Sequence, residues 1–189
     1  MYEKEITRDN ILEIGKHSID KLDYELLDRT ARMTDGKTIV EIGCRYGCSS
    51  MLFGNIVKER NGKLYSIEYD PLPEWEENMK SQGIRGYINL IHTWSPWFRM
   101  VDLPTEIDYF FIDGDHRTMF CIADYVCLMP FVKVGGMIAV HDIYQPECAR
   151  TVNRALDIIV EESKNLEEVE RTAEGLGTVV YRKTKPFGV

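Results

Sequence analysis

The chain has 189 residues, a formal net charge of −8 and a charged fraction of 29%, enough for one α/β core burying about 70% of its unfolded surface. An acidic balance offers nucleic acid or an anionic membrane no electrostatic footprint, so neither is expected as a partner and small-molecule chemistry is favoured. No apolar run approaches the ~20 residues of a membrane span. Met1–Glu5 lacks the basic-then-apolar start of a signal peptide, which points to the cytoplasm. Cys44, Cys48, Cys121, Cys127 and Cys148 form an odd set without C-x-x-C pairs; reduced thiols are expected rather than disulfides or structural zinc.

Two helices open the chain, one near Asp9–His17 and one near Asp20–Met33, where Leu22, Leu26 and Leu27 share a face. Together they make residues 1–35 an N-terminal helical cap. From Thr38 the pattern changes to strand then helix: strand Ile39–Ile42, helix Cys48–Glu59, then strand Leu64–Glu68 after the Asn61-Gly62 turn. A short helix Pro73–Gln82 follows, then strand Tyr87–Ile91 and the nearly all-apolar strand Ile107–Ile112, expected to be central. Met119–Phe131 reads as a helix ended near Gly135-Gly136, and Met137–Val140 as the fifth strand. Helix Cys148–Glu162 carries Val152, Ala155, Leu156 and Ile159 as one buried stripe, and Glu168–Ala173 with Thr178–Arg182 form an antiparallel hairpin on the sheet edge. Alternation of this kind predicts a mostly parallel sheet with helices on both faces. No repeat or linker interrupts it, so residues 1–189 read as a single domain with a core over 36–183.

The segment Val40-Glu41-Ile42-Gly43-Cys44-Arg45-Tyr46-Gly47 runs an apolar strand into an acidic, glycine-spaced turn. Gly43 and Gly47 permit positive φ and close approach of a ligand to the backbone. A dinucleotide fingerprint wants G-x-G-x-x-G with a helix N-terminus aimed at pyrophosphate. Here the spacing is Glu41-x-Gly43-x-x-x-Gly47, and the acid suits a cationic ligand such as the sulfonium or ammonium of S-adenosylmethionine. In open α/β sheets ligands bind beyond the carboxyl ends of the strands. Those ends carry Glu68 (or Asp70), about twenty residues past Gly47 and suited to ribose hydroxyls. They also carry Thr93, Trp94 and Ser95 for an adenine edge, where Trp94 competes with Trp97 as a stacking face. Asp113, Asp115, His116, His141 and Asp142 form a second constellation. Its carboxylates suit Mg²⁺ or Ca²⁺, and an added imidazole tilts it toward a transition metal. His116, with an ordinary pKa near 6.5, is suited to take a proton at neutral pH.

Val-Glu-Ile-Gly-x-x-x-Gly-x-Ser-Ser, Tyr-Ser-Ile-Glu, Phe-Ile-Asp-Gly-Asp-His and Gly-Gly-x-Ile-x-x-His-Asp occur here in order. Over roughly residues 36–183 the chain thereby resembles the class I S-adenosylmethionine-dependent methyltransferases, in a subgroup similar to macrolide sugar O-methyltransferases and cephalosporin-hydroxylase-like proteins. The resemblance implies a Rossmann-like seven-stranded sheet of order 3-2-1-4-5-7-6. It implies that Glu41, Gly43 and Gly47 embrace the methionine end, that Glu68 holds the ribose, that Asp113 and Asp142 bind a metal and that His116 is the base; Ser49, Trp94, Ser95 and Asp113 complete the expected cofactor site, and His141 joins the expected metal ligands. Two departures stand out: His141 where relatives often carry a further acid, and Thr93-Trp94 where an acidic adenine contact is frequent. The reading is S-adenosylmethionine-dependent O-methylation of a small-molecule hydroxyl, with metal assistance left open. Alternatives are a non-catalytic module binding S-adenosylmethionine or S-adenosylhomocysteine, and a nicotinamide-dependent oxidoreductase. The acceptor and the oligomeric state, with a homo-oligomer among the outcomes, lie beyond sequence.

Overall fold

Side-chain oxygens start both N-terminal helices. In the computed structural model, which describes residues 7–15, 18–95, 97 and 103–186, Thr7 caps α1 (Arg8–Ile14) by accepting from the Asn10 N–H, and Asp20 caps α2 (Lys21–Arg32) by accepting from the Asp23 N–H. Helix α1 ends at Gly15, short of His17, which lies outside the described residues. The buried stripe of α2 is Asp23, Leu26, Leu27, Thr30 and Ala31. Leu22, expected on that face, is 38% exposed, because the i, i+3, i+4, i+7 row begins one residue later, on an acid.

The elements that follow are β1 (Thr38–Ile42), α3 (Cys48–Glu59), β2 (Lys63–Glu68), α4 (Pro73–Ser81), β3 (Ile88–His92) and β4 (Ile107–Ile112), then α5 (Thr118–Leu128), β5 (Val132–Val140), α6 (Ala149–Ser163), β6 (Leu166–Arg171) and β7 (Val179–Lys183). They form a seven-stranded sheet of order β3-β2-β1-β4-β5-β7-β6. Pairing is parallel from β3 through β5, and antiparallel where β7 joins β5 and β6. Two expectations shift. Helix α5 stops at Leu128 and passes into a 3-10 turn, Met129–Phe131, because Pro130 cannot donate to the helical ladder. Gly135 and Gly136 then lie inside β5 rather than after a helix, with Gly135 at φ +88° where the β4–β5 register shifts. Within the hairpin only β6 is the sheet edge, since β7 is paired on both sides.

Strand alternation splits the apolar side chains into two cores. Ile39, Tyr109, Phe111, Met137 and Ala139 face α1–α4, while Val40, Ile42, Phe110, Ile112, Ile138 and Val140 face α5 and α6. The central strand β4 is buried at every residue, and Phe53 of α3 packs its ring against Tyr109 at 5.6 Å and Phe111 at 5.5 Å. Full burial of one such ring contributes on the order of 2–3 kcal/mol.

The carboxyl ends of the strands are held level by backbone hydrogen bonds that continue past the strands. Gly43 N–H donates to Ile67 O, Asp113 N–H to Ile42 O, His141 N–H to Ile112 O and Thr93 N–H to Glu68 O. Residues far apart in the chain therefore stand side by side along one rim.

Candidate active site

A cavity of about 280 Å³ opens on that rim. The loop after β1 gives it Gly43, Cys44 and Arg45, α3 gives Ser49, β2 and its end give Ile67, Glu68 and Tyr69, and the end of β3 gives Thr93, Trp94 and Ser95. Asp113, Gly114, Asp115 and His116 follow β4, Asp142 follows β5, and Ser18 reaches in from the segment before α2.

Gly43 is required where it sits. At φ +84° an added Cβ would meet the Asp113 carbonyl oxygen at 2.0 Å, so only glycine lets the loops after β1 and β4 touch. Glu68 closes the same corner: its Oε2 accepts from the N–H groups of Cys44 (2.9 Å) and Arg45 (3.1 Å), and its Oε1 from that of Asp70 (3.1 Å). A carboxylate has about four acceptor positions, so Glu68 fastens the glycine loop and keeps capacity for a ligand hydroxyl. Asp70 contributes through its backbone.

The aromatic wall is a stack. Trp94 lies against Tyr69 at 5.3 Å and nearly parallel to Phe120 at 5.9 Å, with the Arg117 guanidinium 4.1 Å from the far ring. Trp97, the competing stacking residue, is 73% exposed and not part of the wall. Ser95 donates to Asp124, a buried carboxyl on α5 that sequence reasoning missed. Burial first, then Asp115, pushes Asp124 up to about 8.

On the opposite side Asp113, His116, His141 and Asp142 converge. His116 Nε2 lies 2.8 Å from Asp142 Oδ2 and 3.5 Å from Asp113 Oδ1, near in distance but without an aligned hydrogen bond. Asp113 and then Asp142 push the imidazole up to about 10, against the effect of burial. Asp142 sits at φ +63°, a left-handed turn that aspartate tolerates better than most residues and that swings its carboxylate back over the rim. Burial alone would raise its carboxyl, but His116 and His141 hold it well below the ordinary range. Asp115, by contrast, is engaged by Arg117, with Nε at 2.9 Å and a second nitrogen at 2.5 Å.

Three expected site residues lie behind the wall. Glu41 is fully buried and accepts from Ser50 and from Ser66 at 2.6 Å, with Trp75 Nε1–H donating to Ser50 at 2.9 Å. It does not line the cavity, whose carboxylates are those of Glu68, Asp113, Asp115 and Asp142. Gly47 supports α3 from the left-handed region at φ +91°, facing Trp75 and Met79. His141 is buried against Phe111 and turns Nδ1 toward Asp113 Oδ1 at 3.1 Å and Asp142 Oδ1 at 3.4 Å.

A family profile described as a methyltransferase domain matches residues 40–143, over half of the chain and all of this rim. The chain belongs to that family. Among curated proteins, an uncharacterized protein of Acanthamoeba polyphaga mimivirus is 33% identical over 151 residues, covering 70% of this chain and 66% of its own, just under two thirds of its length. Among solved structures, a candidate caffeoyl-CoA O-methyltransferase from Staphylococcus aureus aligns with a TM-score of 0.77 at 16% identity, over 95% of this chain and 93% of that one. An O-methyltransferase from Bacillus cereus in complex with S-adenosylhomocysteine aligns with a TM-score of 0.74 at 14% identity, over 96% and 92%. At such identities the likeness is one of fold, the class I arrangement with β7 inserted antiparallel between β5 and β6.

The chain brings one more residue to this site that sequence reasoning passed over. Asp23 of α2 is fully buried and faces His141 Nε2 at 3.3 Å. Its signal was available, since an acid at the head of a buried helical stripe needs a polar partner. All five cysteines are unpaired. Burial raises the Cys44 thiol well above its ordinary value and pushes Cys48 up to about 12, so the thiols flanking the glycine loop are poor nucleophiles. No helix among the described residues is long and apolar enough to cross a membrane.

Proposed function

We propose that this methyltransferase domain moves the methyl group of S-adenosylmethionine onto a hydroxyl oxygen of a small molecule, with Asp113, His116 and Asp142 handling the hydroxyl. The observation that carries the reading is the division of one cavity into two walls. Glu68, the Gly43 loop and the Tyr69–Trp94 stack form a nucleoside-sized side, and the carboxylate–imidazole group forms the other. When bound, S-adenosylmethionine supplies a methyl carbon on a sulfonium, whose C–S bond breaks toward sulfur as the acceptor oxygen bonds to carbon.

Glu68 has acceptor capacity for ribose hydroxyls, Trp94 and Ser95 suit the base, and Ser49 with the Gly43 loop flanks the methionine end. Acidic side chains around the rim favour the cationic cofactor over its neutral thioether product. Asp113, His141 and Asp142 offer two carboxylate oxygens and one imidazole nitrogen, all within 4.8 Å of one another, a donor set that fits a divalent cation with mixed ligands. Such a cation, when bound, would draw in the acceptor hydroxyl and lower its pKa. Asp113 and Asp142 hold His116 toward its imidazolium form. Its service as base therefore requires their charge to be balanced, after which Nε2 is free to take the hydroxyl proton.

Calorimetric titration with S-adenosylhomocysteine, with and without Mg²⁺ or Mn²⁺, tests the reading. Binding is expected in wild type, weakened tenfold or more in Glu68→Ala by loss of charge-assisted hydrogen bonds worth ~1.5–3 kcal/mol each, and little changed in His116→Ala. Absence of binding would overturn the cofactor assignment.

A further inference from the structure

We infer that Asp23, on the N-terminal helix α2, is a positioning residue of the cation site: it holds His141 so that Nδ1 becomes a ligand beside Asp113 and Asp142. The inference rests on the metal-assisted reading above and extends it to an element outside the matched family segment, residues 40–143.

Strand periodicity brings the two residues together. Met137 and Ala139 of β5 face the core under α1–α4, so His141, next in that row, points toward α2. Asp23 stands in the first turn of α2, and that turn is fastened: Asp20 Oδ2 accepts from the Leu176 N–H at 2.9 Å, which ties α2 to the β6–β7 connection. Asp23 Oδ1 accepts from Thr178 Oγ1 at 2.7 Å, with Thr172 Oγ1 at 3.5 Å. Its Oδ2 faces His141 Nε2 at 3.3 Å.

A fully buried carboxylate needs a donor at each oxygen. The threonines serve one oxygen, and the imidazole serves the other, so Nε2 carries a hydrogen. Nδ1 meets carboxylates too, at 3.1 Å from Asp113 Oδ1 and 3.4 Å from Asp142 Oδ1, so a cation bound there takes the place of the Nδ1 proton while Asp23 keeps the one on Nε2. A carboxylate that holds one ring nitrogen of a histidine while the other meets a metal is a recurrent arrangement, and its removal costs 10–100-fold in metal affinity. One imidazole in place of a third carboxylate also shifts preference from Mg²⁺ toward Mn²⁺, Co²⁺ or Zn²⁺. The structural alternative is an Asp23–His141 pair that only joins α2 to the sheet, and the two differ in what Asp23→Asn does. An asparagine of the same size keeps an acceptor for Thr178 but turns an N–H₂ toward Nε2. That leaves the Nδ1–H as the ring's one hydrogen, and a metal can no longer take its place without stripping the ring of both protons.

The test is Co²⁺ titration of the full chain followed by visible absorption, with S-adenosylhomocysteine affinity measured on the same samples. Expected are Co²⁺ binding in wild type more than tenfold tighter than Mg²⁺, and a 10–100-fold loss of Co²⁺ affinity in Asp23→Asn with S-adenosylhomocysteine affinity unchanged within about threefold. Equal Co²⁺ affinity in the two proteins would overturn the role of Asp23. No Co²⁺ binding in wild type that still binds S-adenosylhomocysteine would overturn the metal site and this inference with it, leaving the cofactor assignment intact. Should Asp23→Asn fail to fold, ¹⁵N-histidine NMR of wild type with Zn²⁺ decides instead. One histidine is expected to shift at Nδ1 while keeping the hydrogen on Nε2; no such shift would overturn the inference.

Discussion

Ser50 and Ser66 both donate to one oxygen of Glu41, and the other oxygen is buried without a partner. Burial dominates the serine hydrogen bonds and pushes the carboxyl from its ordinary 4.5 up to about 7. Between those values the folded chain keeps a proton that the unfolded chain has released. Stability therefore falls as pH rises through that window, by about 3 kcal/mol, and levels off above it. Glu41→Gln, neutral throughout, should remove this loss. Thermal unfolding at pH 5 and pH 8 is expected to show a smaller drop in Tm for the variant than for wild type, and identical drops would refute the assignment. The same residue shows what a motif leaves out, since Glu41 is fully buried and does not line the cavity. That Glu68, Asp113, His116 and Asp142 line the cavity was legible because residues at or just past a strand end face one rim of the sheet. Glu41 lies one residue inside β1, where alternation turns it toward α3.

Among the elements, the loop after β1 bears the tightest constraint. Gly43→Ala would add a Cβ 2.0 Å from the Asp113 carbonyl at a positive φ, costing on the order of 3 kcal/mol through strain and loop displacement. Gly86→Ala, where a Cβ meets nothing within 4 Å, should stay within about 0.5 kcal/mol of wild type. Urea midpoints separate the two, and equal midpoints would remove the claim that the loops after β1 and β4 depend on glycine. Most element boundaries were legible to within a residue or two, because apolar period and turn residues agree. The exceptions have local causes. Gly135 and Gly136 look like a helix stop, yet Pro130 has already ended α5 and the glycines allow β5 to bulge. Leu22 looks like core, yet the neighbouring Asp23 takes the inward row because His141, Thr172 and Thr178 wait there to satisfy it.

Across the whole molecule, a ligand that binds only the folded chain raises its stability by about 2.7 kcal/mol at a concentration of 100 Kd. For a chain of this size that corresponds to roughly 5–10 °C in Tm. S-adenosylhomocysteine is expected to give such a shift and NAD none. A shift with NAD alone would favour the dinucleotide alternative that the Gly43–Gly47 spacing argues against. Local patterning is what sequence carries: the strand–helix alternation, the glycine turn, and the acids and histidines waiting at strand ends are set by residues within a few positions of one another. Which of those groups line the cavity depends on contacts across the sheet. Glu41 and Asp23 are both carboxylic acids inside regular elements, and nothing beside them in the chain says that one is stapled by serines and the other set against His141. Long-range packing supplies both the burial and the partners, and for a buried ionisable group these together decide its protonation, its orientation and its chemistry.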